Sequence, residues 1–268
     1  GHRDKYSHPP FNTGSGTTPS YWVNDPSVAA PFRVEVTDPA ILANIKKLVT
    51  DNTDKKRICK GNDLKHTPKI CGYSWDGITP EKVWRVENQQ RWPLYDFNRK
   101  KTAGTIDPTK NYNVQCTAPW MDKLGLETTH GEMYLFHGTD AGLIDTIATK
   151  GFNQKFGSVG GLYGLGVYFA EDCAKVDQYC VPDKNDKYYM FLSRVVMGSI
   201  YEAGTGVNLN GAMQAPGPLT QEGRQLKVTQ KYDSVLGHLK KSNFREFVVY
   251  SKDLAYPEYV IQYTRNKI

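Results

Sequence analysis

The chain has 268 residues, of which 39% are hydrophobic and 23% are charged. This composition excludes a wholly disordered polymer and fits one large domain, or one domain with an appended segment. The net charge of +6 favours an anionic ligand or partner but is too mild for a nucleic-acid-binding signature unless the basic residues cluster. No apolar run approaches the ~20 residues that span a bilayer.

Cysteine usage points away from a disulfide scaffold, because the chain has only five cysteines, an odd number. Cys59, His66 and Cys71 follow one another at a spacing that invites a zinc site, but no fourth ligand follows at the usual distance. Unpaired thiols are therefore favoured over a loop disulfide, and a disulfide over zinc. The chain also has no Asn-x-Ser/Thr sequence, which favours an intracellular location in the cytoplasm or the nucleus.

The first residues differ in composition from the rest of the chain. Residues 1–25 are rich in Pro, Gly, Ser and Thr, which is typical of a flexible tail or linker, and the Gly1–His2 start resembles the remnant of an expression tag. Residues 26–268 are then predicted to form a single domain. Its first helix is predicted over residues 39–50, because Asp38 can cap the free amides and the apolar residues repeat at helical spacing.

Further along the chain, predicted strands outnumber predicted helices, so the fold class is α+β with a largely antiparallel core. Residues 201–233 hold several glycines and few apolar residues, which predicts a long irregular loop that is functional or mobile. The other predicted elements are strands at 82–87, 133–136, 166–170, 187–197, 244–250 and 259–263, a helix that starts near Pro93, a helix over 141–150, and a helix after residue 170.

A histidine and a glycine follow the apolar strand 133–136. Gly138 would let a ligand approach the backbone closely, so that its N–H and C=O groups could bind an amide. Thr139 or Asp140 can cap the helix that comes next. Taken alone, His137 is more often a satisfied core histidine than a functional one.

Two tyrosines and a glutamate complete the candidates. Tyr168 lies on the strand 166–170 and Tyr179 on the helix after it, so their rings could hold a flat heterocycle, although two ordinary core tyrosines are an equal alternative. Glu246 is an uncompensated acidic residue on an apolar strand, and burial of a carboxylate without a partner is unfavourable. It is therefore expected at a solvated edge or in a functional cleft.

Three motifs, in this order, carry a resemblance to a known family. They are His137-Gly138-Thr139, the block GLYGLGVYFAED with the helix that carries Tyr179, and EFVVYSKDLAYPEYVIQY near the C-terminus. Over roughly residues 80–265 the chain resembles the catalytic domain of the poly(ADP-ribose) polymerase family, the diphtheria-toxin-like ADP-ribosyltransferases. The resemblance implies two packed, mostly antiparallel sheets with flanking helices.

The resemblance also implies a His-Tyr-Glu triad, with NAD+ as co-substrate and no metal. Gly138 matches the glycine that pairs with the nicotinamide carboxamide, and Tyr168 and Tyr179 match the tyrosines that bracket the nicotinamide ring. His137 matches the histidine that orients the ribose of NAD+, and Glu246 matches the glutamate that binds the 2′-hydroxyl of the nicotinamide ribose. In sum, the implied catalytic residues are Glu246, His137 and Tyr168, and the implied NAD+-binding residues are His137, Gly138, Thr139, Tyr168 and Tyr179.

The chain departs from the family pattern at two positions. Val176 stands where many members have a serine that contacts the carboxamide, and Leu165 stands where lysine is common. The loss of one hydrogen bond, about 0.5–1.5 kcal/mol, predicts weaker binding of NAD+ and of nicotinamide mimics.

The implied activity is cleavage of the nicotinamide–ribose bond and transfer of ADP-ribose to a macromolecule. The acceptor would be a protein, which includes this chain itself, or a nucleic acid, and no membrane is implied. The alternative is a catalytically silent module that binds NAD+ or ADP-ribose within a larger scaffold, but the complete triad favours activity. A single transfer is weakly favoured over chain growth by the ending LAYPEY, and the loop 201–233 is expected to decide between them.

Overall fold

A computed structural model describes residues 18–59, 74–102, 110–117, 126, 131–154, 161–217, 232–237 and 244–268. Three short 3-10 turns lie at Ala141–Leu143, Asp177–Tyr179 and Lys252–Leu254. The helices and strands in chain order are β1 (Arg33–Glu35), α1 (Pro39–Asp51), β2 (Trp75–Val86), α2 (Trp92–Lys101), β3 (Glu132–Gly138), α3 (Ile144–Lys150), β4 (Val167–Phe169), α4 (Cys173–Val176), β5 (Tyr188–Val196), β6 (Ile200–Ala203), β7 (Ser234–Gly237), β8 (Glu246–Val249) and β9 (Ala255–Lys267).

The described strands form two sheets. The first has the order β1-β2-β9-β5-β3 and is antiparallel, and the second has the order β4-β8-β7-β6 with one parallel pair, β6 and β7. Thus β3 and β4 each form an edge, and a bridge between Phe136 and Ala170 joins these two edges. The predicted α+β class with two mostly antiparallel sheets is confirmed.

The first helix forms as its sequence predicts. Asp38 accepts hydrogen bonds from the N–H groups of Ala40 and Ile41, and the proline at the first helical position needs no partner for its nitrogen. The helix buries Ile45 and Val49, which lie on the face that packs against β2. Helix α1 therefore covers the first sheet and shields its core from solvent.

The last strand is longer than predicted, because β9 starts at Ala255 rather than at residue 259. The stretch before Tyr259 contains Pro257, which cannot donate a ladder hydrogen bond and argues against a central strand. The β5–β9 register shifts here, since Arg194 pairs with Tyr256 but Leu192 pairs with Tyr259. The irregularity lies opposite Pro257, which explains how the proline is accommodated inside the sheet.

The predicted irregular loop 201–233 is wrong at its start. Residues Ile200–Ala203 form β6, which pairs with β7 at Ser234–Gly237, and the sequence predicted neither strand. Both strands have four residues, too few to show a clear alternation. Residues 218–231 lie outside the described part of the chain.

The cysteines among the described residues are free thiols, as favoured by the sequence: Cys59, Cys116, Cys173 and Cys180. His66 and Cys71 lie outside the described residues, so the zinc alternative stays untested. Within the described ranges, no group of three His, Cys, Asp or Glu side chains could hold a metal ion. In the same part of the chain, no helix is long and apolar enough to cross a membrane.

Packing begins before residue 26, inside the segment predicted to be a tail. Trp22 is only 5% exposed and lies in an aromatic cluster with Trp92, Tyr95 and Tyr256. Its ring centroid is 5.5 Å from that of Trp92 and 5.9 Å from that of Tyr256. Residues 1–17 lie outside the described residues, so the tail stays a prediction for them.

We expect Trp22→Ala to lower the free energy of unfolding by about 3–5 kcal/mol, because it empties a buried aromatic site. Denaturant unfolding measures this change. The control is Val23→Ala, since Val23 is 62% exposed and its truncation should change stability by less than about 0.5 kcal/mol. Equal stability of the two variants would contradict the packed arrangement of this segment.

Candidate active site

A cavity of about 990 Å³ lies where the edges of the two sheets diverge. Its walls come from β3, α3, β4, α4 and the start of β8. The structure therefore brings together in one cavity residues that are distant in sequence. All six predicted site residues line it: His137, Gly138, Thr139, Tyr168, Tyr179 and Glu246.

The end of β3 turns backbone groups toward this cavity. The N–H and C=O of Phe136 both bond to Ala170, so they point away from the neighbouring strand β5. Backbone direction alternates along a strand, so the N–H and C=O of Gly138 point the same way as those of Phe136. The bridge to Ala170 is the last contact of β3 with the second sheet, so the backbone groups of Gly138 point into the cleft instead of toward a strand.

The structure corrects the reason for a glycine at position 138. A Cβ atom there would lie 2.0 Å from the carbonyl oxygen of Val176 and 3.0 Å from the sulfur of Cys180. The missing side chain thus makes room for the protein's own α4 and the turn after it, not for a ligand. The backbone groups of Gly138 are available to a ligand for a different reason, namely the divergence of the sheets.

His137 is held in one tautomer by β4. Its Nδ1 lies 2.7 Å from the carbonyl oxygen of Tyr168. The ring packs against Phe152 and Phe169, at centroid distances of 4.9 and 5.4 Å. Burial lowers the pKa of His137 to about 4, and the hydrogen bond opposes this shift only in part. Since a carbonyl only accepts, Nδ1 carries the proton of the neutral ring, which leaves Nε2 as a hydrogen-bond acceptor.

Tyr168 is fixed through its hydroxyl group. The hydroxyl donates to the carbonyl oxygen of Gly164 at 2.7 Å and accepts from the N–H of Tyr163 at 3.1 Å. Burial raises the pKa of Tyr168, so the phenol stays protonated. A Cβ at Gly161 would lie 2.3 Å from this hydroxyl, so this glycine too makes room for a protein group. The ring of Tyr168 is thereby held rigidly in the cavity wall.

Glu246 has a basic partner that the sequence did not predict. The antiparallel pairing of β4 and β8 aligns Phe169 with Phe247, which puts Glu246 at the mouth of the cavity. The Nζ atom of Lys175 lies 3.3 Å from its Oε1 atom, and the side chains are only 8% and 13% exposed. The prediction of an uncompensated carboxylate is therefore wrong.

Lys175 also connects the carboxylate to the second tyrosine. Its Nζ atom lies 3.3 Å from the hydroxyl oxygen of Tyr179 and 5.3 Å from the centroid of that ring. Sequence reasoning missed Lys175, although a lysine between Ala174 and Val176 in an apolar helical turn was a usable signal. Tyr179 lies four residues after it, on the same helical face.

An ion pair beside the site fixes the strand that carries Glu246. Arg245 binds both carboxylate oxygens of Glu171, at 2.6 and 2.7 Å, and donates to the carbonyl oxygen of Tyr112 at 2.8 Å. Arg245 immediately precedes β8, and its partner is Glu171, whereas Glu246 pairs with Lys175 and lines the cavity. The ion pair thus holds the start of the strand while Glu246 faces the cavity.

The segment after β6 packs on residues 161–166, which are rich in glycine. The N–H of Leu165 donates to the carbonyl oxygen of Ala212 at 2.7 Å, and the N–H of Leu209 donates to that of Leu162 at 2.8 Å. The irregular segment therefore packs directly on one wall of the site.

Thr139 is buried and lines the cavity, whereas Asp140 provides the helix cap by accepting a hydrogen bond from the N–H of Gly142.

Two packed, mostly antiparallel sheets with flanking helices and a cleft between their edges define the ADP-ribosyltransferase class of fold. Comparison with known families then gives the family itself. A profile described as "PARP: Poly(ADP-ribose) polymerase catalytic domain" matches residues 56–265, so the chain belongs to this family.

Several characterised relatives are similar over a comparable range. Protein mono-ADP-ribosyltransferase PARP12 of Mus musculus is 31% identical over 185 residues, which cover 69% of this chain and 24% of the relative. Protein mono-ADP-ribosyltransferase PARP12 of Homo sapiens is 30% identical over 185 residues, which cover 69% of this chain and 22% of the relative. Protein mono-ADP-ribosyltransferase PARP14 of Homo sapiens is 29% identical over 188 residues, covering 69% and 9%. The chain thus spans about a quarter of these relatives or less.

We expect Gly138→Ala to lower the free energy of unfolding by about 1–3 kcal/mol, because the new methyl group meets backbone that cannot yield easily. Gly204→Ala is the control, since a Cβ at Gly204 has no neighbour within 4 Å among the described residues. Denaturant unfolding of both variants compares them directly. A neutral Gly138→Ala would contradict the close contact with α4.

We expect the imidazole of His137 to stay neutral down to about pH 5 in the folded chain, against an ordinary pKa of 6.5. On acidification the unfolded chain binds this proton first, so the stabilising contribution is complete above pH 6.5 and is lost toward pH 4. Titration of the histidine resonances by NMR, with His137→Gln to assign the signal, measures the value. A midpoint near 6.5 would contradict the neutral ring.

Proposed function

We propose that this chain is an NAD+-dependent ADP-ribosyltransferase that transfers single ADP-ribose units to a protein acceptor. One observation carries the proposal: a free strand edge at Gly138, the rings of Tyr168 and Tyr179, and the carboxylate of Glu246 line one cavity. These groups would recognise three parts of a ligand. The strand edge would bind an amide, the two rings would bind a flat aromatic ring, and the carboxylate would bind a sugar that develops positive charge.

In the proposed complex, the carboxamide of nicotinamide pairs with the N–H and C=O of Gly138. The nicotinamide ring lies between Tyr168 and Tyr179, and the 2′-hydroxyl of its ribose donates to Glu246. The unprotonated Nε2 of His137 accepts from a ribose hydroxyl. Membership of the family, and the resemblance of these residues to the family motifs, support this assignment.

The chemistry is a substitution at C1′ of the nicotinamide ribose. The C1′–N bond breaks with its electron pair on nitrogen, so nicotinamide leaves as a neutral molecule and positive charge develops on the ribose. The carboxylate of Glu246, positioned in advance beside the sugar, stabilises this charge. An acceptor atom then forms a bond to C1′, and any proton that it carries passes to Glu246 or to water.

Lys175 has a supporting role in this proposal. Its ammonium group lies 3.3 Å from Glu246, and an adjacent positive charge favours the ionised carboxylate. Its contact with the hydroxyl of Tyr179 fixes the distance between the carboxylate and the aromatic clamp. The same cation therefore orients Glu246 and Tyr179 relative to each other.

Single transfer to protein is the preferred form of the activity. The similar relatives from mouse and human carry the name protein mono-ADP-ribosyltransferase. The resemblance of His137, Tyr168 and Glu246 to the family's triad favours an active enzyme over a silent binding module. Glu246 would also permit chain growth, so its presence does not decide the matter. An intracellular location stays a prediction from the absence of an Asn-x-Ser/Thr sequence.

Incubation with labelled NAD+ followed by gel electrophoresis tests the proposal. We expect a single labelled protein band that survives nuclease and disappears with protease. A ladder would indicate chain growth, and label removed by nuclease would indicate a nucleic-acid acceptor. No label, with NAD+ still bound, would indicate a silent binding module and would contradict the proposal.

We expect Glu246→Gln to lower the transfer rate by about 10²–10³-fold, because the amide cannot stabilise the charge on the ribose. Binding of NAD+, measured by calorimetry, should change only a few-fold. Glu202→Gln is the matched control, since Glu202 also pairs with a lysine, Lys110 at 2.8 Å, but on the exposed surface. Transfer at the parent rate by Glu246→Gln would refute the assigned role.

A further inference from the structure

The ring of Tyr179 lines the cavity, yet this residue is 52% exposed. A ring that is half open to solvent is not held by packing on all sides. Besides its contact with Lys175, its position therefore depends on the backbone of the 3-10 turn Asp177–Tyr179 that carries it. Whatever fixes this turn also fixes one side of the proposed aromatic clamp.

The first residue of this turn is a completely buried carboxylate that binds three side chains of the first sheet. Its Oδ2 atom accepts from Nε1 of Trp75 at 2.9 Å. Its Oδ1 atom accepts from the hydroxyl of Tyr263 at 2.5 Å and from Nε of Arg265 at 3.0 Å. Asp177 thus ties the turn to the ends of β2 and β9.

Arg265 holds the backbone of the same turn at two points. One terminal nitrogen donates to the carbonyl oxygen of Asp177 at 2.8 Å and to that of Cys180 at 3.4 Å. The guanidinium group lies 4.0 Å from the ring centroids of both Trp75 and Tyr188. Stacking on two rings and an ion pair leave the arginine little freedom.

The turn also reaches the opposite wall of the cleft. The carbonyl of Val176, immediately before Asp177, and the sulfur of Cys180, at the end of the turn, are the atoms that pack against Gly138. A displacement of the turn would therefore move the ring of Tyr179 and disturb the strand edge at Gly138 together. These are the two groups assigned to the nicotinamide moiety.

We infer that Asp177 is a positioning residue for the nicotinamide half of the site. It acts through the turn that follows it, and Arg265, Trp75 and Tyr263 keep it in place. The inference rests on the proposed function, because it assumes that the aromatic amide of NAD+ binds in this cleft. Other elements, such as α3 with Thr146 and Lys150, line the rest of the cavity, so binding of the ADP-ribose moiety should respond much less.

The mildest test is Tyr263→Phe, which removes one hydrogen bond to Asp177 and keeps the ring. Tyr134→Phe is the matched control, because Tyr134 is also fully buried and donates to a carboxylate, Glu258, that pairs with an arginine. Calorimetry on the full chain gives the dissociation constants of two probes. Benzamide has the aromatic ring and carboxamide, and ADP-ribose has everything except nicotinamide.

We expect Tyr263→Phe to weaken benzamide binding by about 3- to 10-fold, the effect of one lost hydrogen bond. ADP-ribose affinity should change less than about twofold, and Tyr134→Phe should leave both affinities at the parent values. Asp177→Asn should weaken benzamide binding more than Tyr263→Phe does, because the amide also breaks the ion pair with Arg265. If Asp177→Asn fails to fold, Tyr263→Phe decides alone.

Unchanged benzamide affinity in Tyr263→Phe would overturn the inference and leave the proposed function intact. A parallel loss of affinity for benzamide and ADP-ribose would also overturn it, because a purely structural role predicts that result. If the parent chain binds neither benzamide nor NAD+, the proposed function itself fails, and the inference with it.

Discussion

Two hydrogen bonds between Phe136 and Ala170, at 2.8 and 2.9 Å, join the edges of the two sheets, and the cleft depends on them. Beyond this bridge the edges separate, so no strand in the described part of the chain pairs with the backbone of Gly138 on that side. Tyr168 lies two residues before Ala170 and is carried into the same space. Since β4 also pairs with β8, the bridge indirectly sets the position of Glu246.

Steric demands within the protein explain two of the glycines that line the cavity, Gly138 and Gly161. A side chain at Gly138 would collide with the backbone of α4, and a side chain at Gly161 would collide with the hydroxyl of Tyr168. The absence of side chains at these two positions therefore lets Tyr168 and the strand edge at Gly138 lie close together.

Continuous apolar strands and capped helices could be predicted from the sequence, as β5 and α1 show. Where prediction failed, the deciding interaction was non-local. Pro257 argued against a strand, yet an irregular pairing with β5 accommodates it. Lys175 and Glu246 are 3.3 Å apart only because β4 and β8 pair, and no pattern around either residue contains that information. The predicted site residues do meet in one cavity. They could be predicted because three motifs occur in order along the chain, whereas local periodicity alone did not identify them.

The central claim is that the free strand edge at Gly138 binds an aromatic carboxamide between the two tyrosines. The most direct measurement is the backbone amide resonance of Gly138 by NMR during titration with benzamide. We expect a downfield shift of this resonance that saturates with the calorimetric dissociation constant, because the N–H group gains a hydrogen bond. Saturable binding of benzamide that leaves the Gly138 resonance unmoved would contradict the account.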